Sequence, residues 1–235
     1  MPTAIITGAS QGIGAGLVEG FLGQGYDVVA TARDATRKSS PSSRLLLVDG
    51  DIGKPETAAE VVRTAIDRFG AVDVLVNNAG IFRAKPFTEY TADDFDALVS
   101  VNLRGLVQVT QLAVKQMLAQ KSGAVVSISA SLADHPIAGV DAAVAMMTKG
   151  GVNTMTRSLA IEYARAGLRF NAVAPGVVNT PLHQDEPKDA IRAQQPMGSF
   201  AEVRDVVDAV LYLSRARQVT GQVLYVDGGA HVGRW

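Results

Sequence analysis

Seven short apolar runs alternate with longer helical patterns from one end of this chain to the other. The runs cover residues 4–7, 27–32, 44–48, 72–77, 124–129, 169–174 and 223–226. They are rich in β-branched side chains and almost continuously apolar, the pattern of strands buried on both faces. Helical periodicity fills the intervals, for example at residues 56–69, 93–119 and 203–213. Such alternation predicts an α/β fold in which about seven strands form a parallel sheet with helices on both faces. No Ser/Gly/Pro-rich linker divides the 235 residues, and 38–43 reads as a polar loop. A length of this order suits one α/β domain, so a single domain over 1–235 is expected.

Composition removes several classes of function. Hydrophobic residues make up 47% and charged residues 19%, which excludes a disordered chain. Twenty-two Lys and Arg against 23 Asp and Glu leave a net charge of −1. That balance offers no basic field for nucleic acid or an anionic membrane. The absence of cysteine excludes disulfides, thiolate zinc sites and Cys nucleophiles. The three His do not come in a close pair, so no metal site is expected. No apolar run approaches the ~18 residues that cross a bilayer. The opening Met-Pro-Thr-Ala-Ile-Ile-Thr-Gly lacks the basic start of a signal peptide. A cytoplasmic protein is expected.

The first strand runs into Gly8-Ala9-Ser10-Gln11-Gly12-Ile13-Gly14, with a helix beginning near Ile13. Glycines in such a turn let backbone N–H groups approach a phosphate and let the helix pack closely on the strand. The helix N-terminus then offers unpaired N–H groups and partial positive charge to a pyrophosphate. Between a first strand and a helix this is the dinucleotide cradle of a Rossmann-type, doubly wound fold.

The spacing from Thr7 to Gly14 resembles the short-chain dehydrogenase/reductase family, and further motifs extend the resemblance over nearly the whole chain. Asn77-Asn78-Ala79-Gly80 follows the fourth strand, Val101-Asn102 lies in the next helix, and Pro175-Gly176 ends the sixth strand ahead of Thr180-Pro181. Val219 to Gly229 matches the family's last strand with its Asp-Gly-Gly. The resemblance implies a nicotinamide cofactor held by Gly8, Ser10, Gln11, Gly12, Ile13, Gly14, Asn78, Ala79, Gly80, Lys149, Pro175, Gly176 and Thr180. Asp51-Ile52 corresponds to the pair that meets the adenine. Where a carboxylate at the end of the second strand would grip the ribose of NAD, this chain has Ala32 followed by Arg33 and Asp34. A guanidinium there suits a 2′-phosphate, so NADP(H) is favoured over NAD(H).

In the family a Tyr four residues before a Lys donates the proton, assisted by a Ser and an Asn. Here Lys149 continues into Gly-Gly-Val-Asn-Thr-Met-Thr-Arg-Ser-Leu-Ala, but Ala145 stands four residues before it. The five tyrosines, Tyr26, Tyr90, Tyr163, Tyr212 and Tyr225, all lie elsewhere. The family's Ser falls on Ala130, between Ser129 and Ser131. Adjacent strand residues face opposite ways, so Ser131 joins the site only through a bulge or an early end to the strand. The catalytic candidates are therefore Asn102, Lys149, Ser131 and, from the loop Asp134-His135-Pro136, His135. An imidazole is suited to proton transfer near neutral pH, so His135 could protonate a carbonyl. His183 is a second candidate of that kind, and a buried Lys149 with lowered pKa a third.

Residues 180–197, with Pro181, Pro187 and Pro196, break the alternation and read as a substrate lid. The leading expectation is an oxidoreductase that reduces a small carbonyl or oxidises an alcohol with an altered catalytic set. A non-catalytic NADP(H)-binding sensor or scaffold, and a non-redox lyase or isomerase, stay open. Gly150 and Gly151 inside one helix each cost ~1 kcal/mol, and the C-terminal Trp235 suits an interface. Family members pack this helix and the Asn102 helix against a second subunit. A homodimer or homotetramer is expected.

Overall fold

A computed structural model describes residues 1–183 and 195–233. Seven parallel strands form one sheet in the order β3-β2-β1-β4-β5-β6-β7. They are β1 Thr3–Thr7, β2 Asp27–Ala32, β3 Leu45–Asp49, β4 Val74–Asn77, β5 Gly123–Ile128, β6 Leu168–Pro175 and β7 Val223–Val226. Strand order reverses between β1 and β4, the place where doubly wound sheets open a crevice at their carboxyl ends. The expected fold class is the one observed.

Alternate residues of each strand supply two separate cores. On one face Ile6, Val28, Val76 and Val126 pack with Leu17 and Phe21 of helix α1 (Gly12–Gly23) and with Val206 and Val210 of α7 (Val203–Arg215). On the other, Ile5, Val29, Leu75 and Val125 meet Val61 and Ala65 of α3 (Pro55–Phe69) and Val109, Ala113 and Met117 of α5 (Leu106–Gln120). Neighbours such as Ile5 and Ile6 therefore serve opposite cores, which is why these strands carry no polar alternation. α3 starts with Pro55 at its first turn and stops at Gly70, left-handed at φ 80°.

Three elements differ from the sequence reading. Lys38 ends a short helix, α2 (Ala35–Lys38), rather than opening a loop. The helix expected over 93–119 is α4 (Ala92–Val99), a π-helical segment at Ser100–Gly105, and then α5. Thr91 caps α4, accepting from the Asp94 backbone N–H while the Asp94 carboxylate accepts from the Thr91 N–H. Thirdly, β5 ends at Ile128, one residue early. Read end to end, Ala92–Gln120 is also long and apolar enough to cross a membrane, with a mean hydropathy of 1.3 in its most apolar stretch. That corrects the expectation that no such run exists. Its apolar face is nonetheless spent inside the protein, where Val109, Ala113 and Met117 are fully buried.

Candidate active site

At the carboxyl end of the sheet, the turns after β1, β2, β4, β5 and β6 open on one cavity of about 890 Å³. Its floor is the glycine turn. Gly8 sits at φ 68°, and a Cβ there would come within 2.7 Å of the Ala79 Cα. A Cβ on Gly14 would lie 2.0 Å from the Gly8 carbonyl oxygen. No side chain fits either place, so α1 starts hard against the turn, and Gly12, Ile13 and Gly14 of its first turn line the cavity.

Two side chains join this turn to the next loop. Thr7 Oγ accepts from the backbone N–H of Asn78 at 3.1 Å and of Ala79 at 3.0 Å. Asn78 Nδ2 donates to the carbonyls of Thr7 at 2.9 Å and Gly8 at 3.0 Å. The Asn78 amide thus acts as a brace between two loops. Thr7 does equal work, and its position as the last residue of the first strand was the signal for it.

Ser10, Gln11, Gly12 and Ile13 line the cavity, as do Asp51, Ile52, Ala79 and Gly80. Pro175, Gly176 and Thr180 close the far side. Every cofactor residue read from the sequence therefore borders the same space. Asp51 also accepts from the Gly53 N–H at 2.9 Å, which shapes its own turn. At one end stand Arg33, Asp34 and Lys38. Among the described residues Arg33 and Lys38 form no ion pair, so two cations are free to meet an anion there. The helix that carries Lys38 is too short to show a period in the sequence, where its signal is the basic run Arg33-Asp34-Ala35-Thr36-Arg37-Lys38.

Ser131, Ala145 and Lys149 line the opposite end. The early stop of β5 lets Ala130 continue extended into the 3₁₀ turn Ser131–Ala133, which delivers Ser131 to the cavity wall. Lys149 comes from α6 (Ala143–Tyr163). Its Nζ donates to the Ile128 carbonyl at 2.8 Å. Burial lowers its pKa from 10.5 to about 8, although part of the side chain stays accessible through the cavity. Asn102 sits behind, in the π-helical segment, 2% exposed. It accepts from the Ile81 N–H at 2.8 Å and donates to the Ile81 carbonyl at 3.0 Å and to Thr148 Oγ at 3.0 Å. Thr148 in turn donates to the Ala145 carbonyl at 2.7 Å. Asn102 thereby ties the β4 loop to the turn of α6 that precedes Lys149. π-Helical turns recur at functional sites, and one residue pattern in the sequence could not announce this one.

Ala145 is 1% exposed and packs with Leu98, Ala142 and Val144, with Ile81, Phe82 and Met146 against them. Tyr90 belongs to the same cluster, but its hydroxyl donates to the Arg83 carbonyl at 2.6 Å. His135 is placed elsewhere: it is not among the cavity-lining residues, and its ring meets Tyr225 at 5.4 Å and His231 at 5.5 Å. Tyr225 donates to Asp134 at 2.8 Å; burial and that carboxylate push its phenol up to about 12. Asn153 donates to the same Asp134 oxygen at 2.8 Å. This cluster anchors the loop after β5 to β7 and α6, which is a reason for His135 unrelated to chemistry. His183 falls in the turn Pro181–His183. Most of the lid, 184–194, and Trp235 lie outside the described residues.

A doubly wound sheet with this cradle, this Asn and this Lys defines the class: the chain belongs to the short-chain dehydrogenase/reductase family. Residues 8–231 match the family described as enoyl-(acyl carrier protein) reductase. The chain is 37% identical to (2S)-[(R)-hydroxy(phenyl)methyl]succinyl-CoA dehydrogenase subunit BbsD of Thauera aromatica, over 96% of this chain and 95% of that one. It superposes on ElxO with NADP bound with a TM-score of 0.93 at 29% identity, covering 99% of both chains. Against the 3-ketoacyl-(acyl-carrier-protein) reductase of Brucella melitensis complexed with NADH the TM-score is 0.92 at 32% identity, over 98% of both. One of these two neighbours thus holds NADP and the other NADH.

Proposed function

We propose that this protein is an NADP(H)-dependent oxidoreductase that interconverts a carbonyl and an alcohol with Ala145 in place of the family's phenol. The observation that carries the reading is the single cavity onto which the glycine turn, the cations Arg33 and Lys38 and the Lys149–Ser131 end all open. The donor set fits the cofactor. Backbone N–H groups at the start of α1 would hold the pyrophosphate, Arg33 and Lys38 a 2′-phosphate, and Lys149 Nζ the ribose next to the nicotinamide. When bound, a nicotinamide supplies or accepts the hydride.

The chain's own residues supply the remainder. Ser131 Oγ donates a hydrogen bond to the substrate oxygen and fixes its direction. Lys149 Nζ, whose pKa is brought to about 8 by burial, delivers the proton that the oxygen takes up on reduction. Asn102 keeps the α6 turn in position through Thr148. Removal of a dedicated general acid typically costs ~10²–10⁴ in rate, so turnover is slow and favours activated carbonyls. Reduction weakens as Lys149 loses its proton above about pH 8. One observation favours a second reading, a cofactor-binding sensor without turnover: the side chains packed around Ala145 are apolar except Tyr90, whose hydroxyl is spent on the Arg83 carbonyl. The same reading includes self-association through α6, where a Cβ on Gly150 would touch nothing within 4 Å and one on Gly151 only Leu103, at 3.4 Å.

Two measurements test this. Thermal shift with each nucleotide is expected to be larger for NADPH than NADH, and Arg33→Ala should erase the difference. A larger shift with NADH that survives Arg33→Ala overturns the cofactor assignment. Steady consumption of NADPH with a carbonyl panel separates reductase from sensor.

A further inference from the structure

Beside the main cavity lies a second one of about 510 Å³. Leu132, Ile137, Val140 and Met146 border both, so four apolar side chains are the partition between them. Beyond that partition the wall is Phe87, Pro136, Ala142, Ala143 and Met147, with Gly150 at the rim. Phe87 is 73% exposed and Met147 51% exposed, so apolar surface at the mouth faces water that an occupant would displace.

Two charged residues reach this space, and neither invites an anion. Lys85 is taken up by the Asp94 carboxylate and the Glu89 carbonyl. Asp141, which borders both cavities, has no ion pair among the described residues. Such a chamber gives sugar hydroxyls few partners and repels a carboxylate, while it rewards hydrocarbon.

We infer that the second cavity receives an uncharged apolar arm of the substrate, so that the carbonyl substrates are alkyl or aryl ketones and aldehydes rather than sugars or keto acids. The inference rests on the reductase reading for the position of the carbonyl, at the Lys149–Ser131 end. From there an unbranched arm passes the partition formed by Leu132, Ile137, Val140 and Met146 and enters the second chamber. Each methylene that leaves water on the way should tighten binding about fourfold until the chamber is filled.

Calorimetric titration of the protein–NADPH complex with methyl ethyl, methyl butyl, methyl hexyl and methyl octyl ketone tests it, run beside NADPH consumption with the same compounds. Expected are a stepwise gain in affinity along the series, at least tenfold from the shortest to the longest, and a loss of tenfold or more when the arm ends in a carboxylate. Ala143 lines only the second chamber and is exposed at the start of α6. In Ala143→Phe the ratio of long-arm to short-arm affinity should therefore collapse towards one, with an unchanged melting midpoint showing that the fold survives. Chain-length-dependent binding with no NADPH consumption, even by the vicinal diketone of the same arm, whose carbonyl is activated, supports the chamber and sinks the reductase reading. A flat series in the wild-type protein, or tighter binding of a ketopentose or keto acid than of the ketone of equal length, overturns the inference.

Discussion

Replacing Lys149 with Met should remove a pH dependence from the stability of this protein. Burial lowers the folded-state pKa of the ammonium from 10.5 to about 8, and unfolding returns it to water. At about 1.4 kcal/mol for each tenfold change in proton affinity, that difference amounts to about 3 kcal/mol. Below about pH 8 both states hold the proton, and the folded state bears the whole cost of burying the charge. Between about pH 8 and 10.5 the folded state has released a proton that the unfolded state still binds, so stability rises with pH. Above 10.5 the cost is gone. Solvent reaching the side chain through the cavity trims the effect, which leaves about 2 kcal/mol or slightly more. The assay is urea unfolding of both proteins at about pH 7, 8, 9 and 10, read as the difference in unfolding free energy, because every other group titrates alike in the two. Loss of the hydrogen bond to the Ile128 carbonyl adds an offset of ~1–3 kcal/mol that does not vary with pH. The wild type should gain on the Met variant steadily above about pH 8. Parallel profiles would refute the claim that this ammonium is desolvated, and with it the proposed proton donor.

Three further outcomes are expected. Asp94→Asn should lower the urea midpoint, because the Asp94 carboxylate pairs with Arg83 and Lys85 and caps α4 through Thr91. Those partners hold its pKa well below the carboxylate range, so the gap between wild type and variant should persist through neutral pH and narrow only below about pH 4. Ala145→Tyr should raise NADPH-dependent reduction of simple ketones by about 10²-fold if a missing phenol limits the rate; a folded, cofactor-binding variant with no gain would place the limit elsewhere. Thr154 and Ile161 lie seven residues apart on α6 and share one face, with Ile161 82% exposed. Light scattering should give two or four times the 24.6 kDa chain mass, and Ile161→Lys should lower it; a monomer unaffected by dilution or nucleotide would end that proposal.

How far the site can be read from sequence depends on how local each requirement is. Gly8 and Gly14 are legible because a single side chain at either would collide with backbone a few residues away or in the adjoining loop. Arg33 is legible because its place at the end of β2 follows from strand length alone. Lys38 was overlooked because a four-residue helix, α2, carries too little periodicity to be seen. Ser131 reaches the cavity wall from a 3₁₀ turn that begins where β5 has already ended, and strand alternation does not foretell that turn.

Sequence by itself determined the parallel sheet, the order of its elements and the glycine turn after β1. Apolar period, glycine conformation and chain order are short-range constraints that hold wherever the chain is placed. The tertiary structure decided what surrounds each titratable group. His135 looked like a proton donor in the sequence, yet its ring is drawn to Tyr225 and His231. Lys149 with a lowered pKa was one candidate among three in the sequence, and only the packed fold supplies the burial that lowers it. The π-helical turn that sets Asn102 against Ile81 and Thr148 also exists only once distant segments are packed. Desolvation and hydrogen-bond geometry are sums over neighbours far apart in the chain, and a linear pattern does not contain those sums.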